Sequence, residues 1–88
     1  MKILKFGAEW CKECVIMKPM FAEIEKKIPE LETEFHEADD SKEIMEKYNV
    51  ASIPTFIFLD KNSKEIRRLV GLQNKEDLVD IIRENLDK

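Results

Sequence analysis

The only two cysteines of this 88-residue chain, Cys11 and Cys14, lie three positions apart, between an apolar strand pattern and a helical one. In the first turn of a helix, two side chains at this spacing project from nearly the same face, so their sulfurs can form a disulfide. Unpaired backbone N–H groups and the positive end of the helix dipole favour a thiolate there, and the thiolate is the form that attacks disulfides. The spacing therefore predicts a dithiol redox site with Cys11 as nucleophile and Cys14 as resolving thiol.

Other uses of the pair are less consistent with the composition. A structural zinc site normally needs four ligands, and the chain has no third cysteine and a single histidine, His36. A purely structural disulfide would close a very short loop and remove little entropy from the unfolded chain. We therefore expect no metal and no bound cofactor, and we expect His36 to be a solvated residue of a polar strand.

Length and composition predict one domain, residues 1–88. The chain is 43% hydrophobic and 39% charged, which is typical of a folded soluble domain. No apolar run approaches the roughly 20 residues needed to cross a bilayer, and the N-terminus has no signal-peptide pattern. The 15 basic residues are scattered among 19 acidic ones, without the basic patch of a nucleic-acid surface. We expect a cytoplasmic protein that binds neither nucleic acid nor membrane.

Hydrophobic periodicity predicts strands and helices in the order β-α-β-α-β-β-α. The predicted strands span residues 2–7, 32–38, 53–59 and 65–70. A long helix should begin at Cys11 and stop at Pro29, with apolar residues at helical intervals, namely Met17, Phe21, Ile24 and Ile28.

Two shorter helices are predicted from capping signals and apolar spacing. Asp40 and Glu43 have the spacing of a capping box, which predicts a helix through about Tyr48. Asn74 should cap the last helix, whose apolar stripe is Leu78, Ile81, Ile82 and Leu86. Right-handed crossovers then give an α/β fold, a four-stranded mixed sheet with helices on both faces.

Several motifs resemble those of the thioredoxin family, and the similarity covers essentially the whole chain. They are Ala8-Glu9-Trp10-Cys11-x-x-Cys14, Pro19 five residues further on, Tyr48-x-Val50-x-x-Ile53-Pro54-Thr55, and Val70-Gly71. The family's usual first strand and helix are missing, so the chain is nearer in size to glutaredoxins. The resemblance implies a minimal thioredoxin-like fold and a thiol–disulfide oxidoreductase that reduces protein disulfides.

The resemblance also implies which residues bind substrate. The Ile53–Pro54 bond would be cis, in a loop that faces the cysteines and offers backbone N–H and C=O groups to an extended substrate segment. Trp10 and Gly71 would line the same groove. By local reading alone, Pro54 can be an ordinary proline at a strand start, Gly71 a strand-end glycine, and Trp10 a packing residue, although its loop position favours the surface.

The chain departs from the family pattern in two places. Lys12-Glu13 stands between the cysteines in place of Gly-Pro, so a reduction potential cannot be transferred from the family. Lys5 stands six residues before Cys11, where thioredoxins generally have a buried aspartate. Its stem is expected to lie along apolar surface with the ammonium reaching water; the alternative is a buried neutral amine that accepts the proton of Cys14.

The expected partners follow from the same resemblance. They are disulfide-containing protein substrates and an electron donor of the thioredoxin-reductase type, with the chain acting as a monomer. Two alternatives stay open. One is a glutaredoxin-like enzyme re-reduced by a low-molecular-weight thiol, and the other is a non-enzymatic binding module of the same fold.

Overall fold

The computed structural model describes residues 1–88, and strands alternate with helices along the chain. In chain order the elements are β1 (Lys2–Gly7), α1 (Lys12–Lys27), β2 (Glu32–Glu37), a short 3₁₀ helix (Ala38–Asp40), α2 (Lys42–Lys47), β3 (Thr55–Leu59), β4 (Glu65–Val70) and α3 (Lys75–Asn85). The predicted element order is confirmed.

The four strands form one mixed sheet in the order β2-β1-β3-β4. Strand β1 pairs with β2 in parallel and with β3 antiparallel. Strands β3 and β4 are antiparallel neighbours with an irregular register at Phe58 and Leu59. All five residues of β3 are buried, as is expected for an inner strand covered on both faces.

The sheet has an apolar core on each face. On one face, residues of β1 and β3 pack with the inward sides of α1 and α3; this core contains Ile3, Met17, Phe21, Ile24, Ile28, Leu31, Phe56, Phe58, Leu78 and Ile82. On the other face the buried residues are Leu4, Phe6, Ile57 and Leu59, packed against Ile44, Met45, Tyr48, Val50 and Ile53 of the α2 region. Helices therefore cover both faces, as predicted.

Helix α1 is the long helix expected after the cysteine motif, and its predicted apolar stripe is buried. The helix continues through Pro19 and is capped at its C-terminal end by Ile28, directly before Pro29. Asn74 caps α3 as predicted, because its side chain accepts from the N–H groups of Glu76 and Asp77.

The predicted capping box of α2 is wrong. The N-cap is Ser41, and its side chain makes no capping hydrogen bond. Asp40 instead ends the 3₁₀ helix, which the backbone hydrogen bond from Ser41 N–H to the Ala38 carbonyl closes at 3.4 Å. The chain completes this turn before α2 begins, so Asp40 lies one residue too early to cap it.

Two strand boundaries and the environment of His36 also differ from expectation. Strand β2 ends at Glu37 and β3 begins at Thr55, one residue earlier and two residues later than predicted. The His36 side chain is only 20% exposed. Its ring stacks on Phe6 at a centroid distance of 5.3 Å, and Nε2 lies 2.8 Å from Oε2 of Glu34, so the histidine is packed at the sheet edge instead of solvated.

No helix has both the length and the apolar character needed to span a membrane.

Acid should weaken the fold through its hydrogen-bonded carboxylates. The hydrogen bond from Arg68 lowers the pKa of Glu65 below its ordinary 4.5, and that from His36 does the same for the pKa of Glu34. A lowered folded-state pKa gives stability that is present above about pH 4.5 and is lost as the pH falls through the folded value. Urea unfolding should therefore show a smaller free energy of unfolding at pH 3.5 than at pH 6.

A pair of variants tests this assignment. Glu65→Gln should reduce the pH dependence, by less than about 1 kcal/mol because the pair is partly exposed. Glu30→Gln, at an exposed carboxylate without a hydrogen bond, should keep the parental dependence. Equal slopes for parent and Glu65→Gln would contradict the role of the Glu65–Arg68 pair.

Candidate active site

The cysteine pair lies at the start of α1, as its spacing predicts. Cys11 is the N-cap residue, and Cys14 lies in the first turn. The two sulfurs are joined in a disulfide, with Cα atoms 5.2 Å apart. Sγ of Cys11 accepts from the N–H of Cys14 at 3.3 Å, and the Cys11 N–H donates to the Ala8 carbonyl at 3.2 Å. The site is thus present in its oxidised form.

The two cysteines differ in exposure. Cys11 is partly exposed, whereas Cys14 is buried, with 9% of its surface accessible. A Cβ atom added to Gly7 would lie 3.3 Å from Sγ of Cys14 and 3.4 Å from the ring of Phe35. Backbone of β1 and an aromatic ring of β2 therefore stand directly beside Cys14, and Cys11 is the more accessible sulfur.

The proline loop before β3 adjoins the cysteines. The Ile53–Pro54 peptide bond is cis, as the family resemblance implies. Pro54 and Cys14 line one small cavity of about 40 Å³. The Pro54 carbonyl accepts from the N–H of Gly71 at 2.8 Å, whereas neither the N–H nor the C=O of Ile53 makes a hydrogen bond within the protein. The backbone of Ile53 is therefore free to pair with another chain.

Gly71 has a conformational reason to be glycine. Its φ angle is +87°, and an added Cβ would meet no atom within 4 Å. Positive φ is costly for residues with a Cβ, so the backbone shape of the turn, and not a lack of space, requires glycine. That turn directs the Gly71 N–H at Pro54 and brings these two predicted site residues together.

Trp10 is on the surface, as predicted, with 69% of its area exposed. Its indole Nε1 donates a hydrogen bond of 2.9 Å to Oδ2 of Asp39. The sequence analysis does not predict this contact between Trp10 and Asp39. The hydrogen bond fixes the indole toward the 3₁₀ helix and leaves its face open to solvent beside Cys11.

Lys5 agrees with the expectation that its stem lies on apolar surface, with one addition. Nζ lies 5.1 Å from the centre of the Phe21 ring and 3.0 Å from Oε2 of Glu25. Oε1 of Glu25 in turn accepts from the Thr33 hydroxyl at 3.1 Å. The ammonium thus pairs with a carboxylate that the sequence analysis did not predict. The spacing that could have predicted it is that Glu25 lies four residues after Phe21, on the same side of α1.

The position of Glu25 separates this ion pair from the cysteines. Glu25 lies eleven residues after Cys14, which corresponds to about 16 Å along a helix axis. The stem of Lys5 lines the same cavity as Cys14, but its amine is held toward the far end of α1. The structure therefore favours a packing and ion-pairing role for Lys5 over that of a proton acceptor.

A third contact that sequence reasoning missed involves the residues between the cysteines. Oε2 of Glu13 accepts a hydrogen bond of 3.1 Å from the backbone N–H of Leu72. No local sequence pattern predicts a bond between residues so far apart.

No group of three or more histidine, cysteine or acidic side chains is arranged to hold a metal ion.

The cysteine pair closes to a disulfide at a helix start and adjoins a cis-proline loop in which the backbone of Ile53 is unpaired. This geometry is that of the dithiol–disulfide redox class. The thioredoxin family model matches residues 1–84. The chain belongs to the thioredoxin family.

Individual relatives agree with this assignment. The chain is 43% identical over 76 residues to thioredoxin H5 of rice, Oryza sativa subsp. japonica, a match that covers 86% of the chain and 55% of the rice protein. It is 36% identical over 80 residues to a thioredoxin of Chlamydia trachomatis, covering 91% of the chain and 78% of that protein. The chain thus spans little more than half the length of the rice relative.

Solved structures give the same fold. The X-ray structure of Fasciola hepatica thioredoxin superposes with a TM-score of 0.87 at 33% identity, covering 96% of this chain and 79% of that one. The thioredoxin of Nicotiana alata gives 0.88 at 27% identity, covering 96% and 71%. The predicted thioredoxin-like fold is confirmed.

The difference in exposure predicts which thiol reacts first in the reduced protein. Iodoacetamide should modify Cys11 well before Cys14, because Cys11 is at the accessible helix start whereas Cys14 is buried. Mass mapping of partially alkylated protein measures the order. Preferential modification of Cys14 would contradict the assignment.

The Lys5–Glu25 contact predicts a mild effect of Lys5→Leu. Leucine keeps much of the apolar stem, and the lost ion pair is partly exposed, so the free energy of unfolding should change by less than about 1 kcal/mol. Resolution of a mixed disulfide should continue near the parental rate, as a stopped-flow series from about pH 6 to 9 would show. A selective tenfold or greater slowing of that step, typical of removing a general base, would instead make the amine the proton acceptor of Cys14.

Proposed function

We propose that this chain is a thiol–disulfide oxidoreductase that reduces protein disulfides, with Cys11 as nucleophile and Cys14 as resolving thiol. The observation that carries the proposal is the disulfide between an accessible N-cap cysteine and a buried cysteine one turn later. An accessible sulfur can form a mixed disulfide with a target, and a buried sulfur at bonding distance can then displace the target from it. We further propose that residues 1–88 act as one domain.

The reaction proceeds by two thiol–disulfide exchanges. The Cys11 thiolate attacks one sulfur of the target disulfide, forms a mixed disulfide and expels the other target sulfur as a thiolate. Cys14 then loses its proton and attacks Sγ of Cys11, which forms the Cys11–Cys14 disulfide and expels the second target thiolate. Two electrons pass to the target, both target thiolates take up protons, and no bound cofactor takes part.

Substrate binding is assigned to Trp10, Ile53, Pro54 and Gly71. The unpaired N–H and C=O of Ile53 can bind an extended segment by strand addition, in which main-chain hydrogen bonds supply affinity with little dependence on sequence. The exposed indole of Trp10 supplies apolar contact area beside Cys11. Gly71 adds no side chain, so the segment can approach the turn closely.

The oxidised chain needs an electron donor to act again. A thioredoxin-reductase-type protein is proposed, as for thioredoxins in general, and disulfide-containing proteins are the proposed substrates. We place the chain in the cytoplasm, because a reductant works where the surrounding thiol pools are kept reduced. We also propose that it acts as a monomer. Re-reduction by a low-molecular-weight thiol is the alternative that the assay below separates.

The proposed activity is tested by reduction of insulin disulfides. The parent should accelerate insulin precipitation when a thioredoxin reductase with NADPH supplies electrons, and Cys11→Ser should abolish the effect. Activity only with glutathione and its reductase would indicate a glutaredoxin-like cycle. Full activity in Cys11→Ser would end the enzymatic interpretation, and inactivity of the parent with every donor would favour a binding module.

Trapping separates the roles of the two cysteines. Cys14→Ser keeps the nucleophile but removes the thiol that resolves the intermediate, so it should accumulate mixed disulfides with target proteins. Cys11→Ser should accumulate almost none, because the remaining thiol is buried. Non-reducing gels of both variants incubated with oxidised insulin provide the comparison, and equal trapping would refute the division of roles.

A further inference from the structure

Glu13 makes the one long-range hydrogen bond of the residues between the cysteines. Its Oε2 accepts from the backbone N–H of Leu72 at 3.1 Å, across 59 positions of sequence. Both residues are exposed, so the bond runs over the surface from the first turn of α1 to the loop between β4 and α3. A proline at this position, as in the family's usual Gly-Pro, has no side-chain acceptor with which to make it.

The same loop is held at two further points. The Gln73 N–H points at Sδ of Met17 at 3.4 Å, and the Gly71 N–H donates to the Pro54 carbonyl at 2.8 Å. Residues 71–73 are therefore fixed to the cysteine-bearing helix on one side and to the proline loop on the other. Of these three contacts, only that of Glu13 comes from a charged side chain.

We propose that Glu13 is a positioning and specificity-determining residue that holds the Gly71–Leu72 turn at the edge of the substrate groove and selects for basic target segments. The inference rests on the proposed function. Glu13 lies two residues after Cys11, and its carboxylate is bonded to the turn whose Gly71 N–H binds Pro54, so it lies at the edge of the proposed groove. An exposed charge acts over about 10 Å at moderate salt. Lysine or arginine beside the target cysteine is favoured there, and aspartate or glutamate is disfavoured.

Other charged groups lie near the same groove, among them Lys18, which lines the cavity beside the cysteines. Lys12 is adjacent to Glu13 in the helix, and adjacent residues point about 100° apart, so the two side chains leave α1 in different directions. Asp39 is held by Trp10 and adds a second negative charge on the Trp10 side. Lys12, Lys18 and Asp39 are unchanged in every variant compared below, so the difference in preference between the parent and Glu13→Gln reports the charge of Glu13 alone.

Two substitutions separate position from charge. Glu13→Gln keeps a side-chain oxygen that can accept from Leu72 but removes the charge, and Glu13→Ala removes both. Glu30→Gln is the matched control for net charge, because Glu30 is exposed, makes no hydrogen bond and lies beyond the other end of α1. All three variants keep the cysteines and the proline loop intact.

The substrates are two disulfide-linked peptides that differ only in lysine or glutamate beside the cystine, with insulin as reference. The parent should favour the lysine peptide about threefold in kcat/KM, mainly through KM, as is typical of one exposed charge pair. The preference should fade in about 1 M NaCl. Glu13→Gln should lose it while still reducing insulin, and Glu30→Gln should behave as the parent.

The exchange rate of the Leu72 amide measures whether Glu13 holds the turn, and this measurement needs no substrate. The Leu72 amide should exchange about fivefold faster in Glu13→Ala than in the parent, the scale of one lost hydrogen bond, and Glu13→Gln should remain close to the parent. Equal Leu72 exchange in parent and Glu13→Ala would overturn the positioning role.

The remaining outcomes separate this inference from the proposed function. Insulin reduction with equal use of both peptides by parent and Glu13→Gln would overturn the charge selection and leave the activity standing. Failure of the parent to reduce insulin would remove the activity, and with it the selection of targets, while the exchange experiment would still decide the contact.

Discussion

The packing of α1 against the sheet is the constraint on which the site depends. Its buried stripe, Met17, Phe21, Ile24 and Ile28, meets Ile3, Phe56 and Phe58 of the sheet. Burying a side chain of this size stabilises a fold by about 1.5–3 kcal/mol, so the helix cannot shift without losing several such contacts. Because Cys11 is the N-cap of the same helix, its position relative to the proline loop is set by apolar contacts two and three turns away.

Charge is arranged differently here than the family pattern implies. Thioredoxins generally have a buried carboxylate where this chain has Lys5. Here a carboxylate of α1, Glu25, forms an ion pair with the Lys5 ammonium. An ion pair with partly exposed partners costs less desolvation than a fully buried one, and its position leaves the cavity beside Cys14 with an aliphatic stem in place of an acid. The acidic side chains near Cys14 are then Glu9 and Glu37, which line a neighbouring surface pocket together with it.

Much of the fold could be predicted from periodicity and local chemistry, because both are properties of neighbouring residues. The stripe of α1, the Asn74 cap and the strand alternation that places Lys5 on the face of Ile3 are of this kind. The N-cap of α2 was misplaced because Asp40 and Ser41 are both good capping residues, and only the preceding 3₁₀ helix decides between them. The contacts of Glu25 and Glu13 were missed because they join segments whose relative position depends on the whole sheet.

The close packing around Cys14 bears on the order of the two steps in the proposed cycle. Backbone of β1 lies close to the Cys14 sulfur, since even one methyl-sized atom on Gly7 would lie 3.3 Å from it. A target disulfide can therefore reach the partly exposed Cys11 more readily than the buried Cys14. Access thus favours the order of the two exchange steps in the proposed cycle, and a side chain added at Gly7 would crowd Cys14 without changing either cysteine.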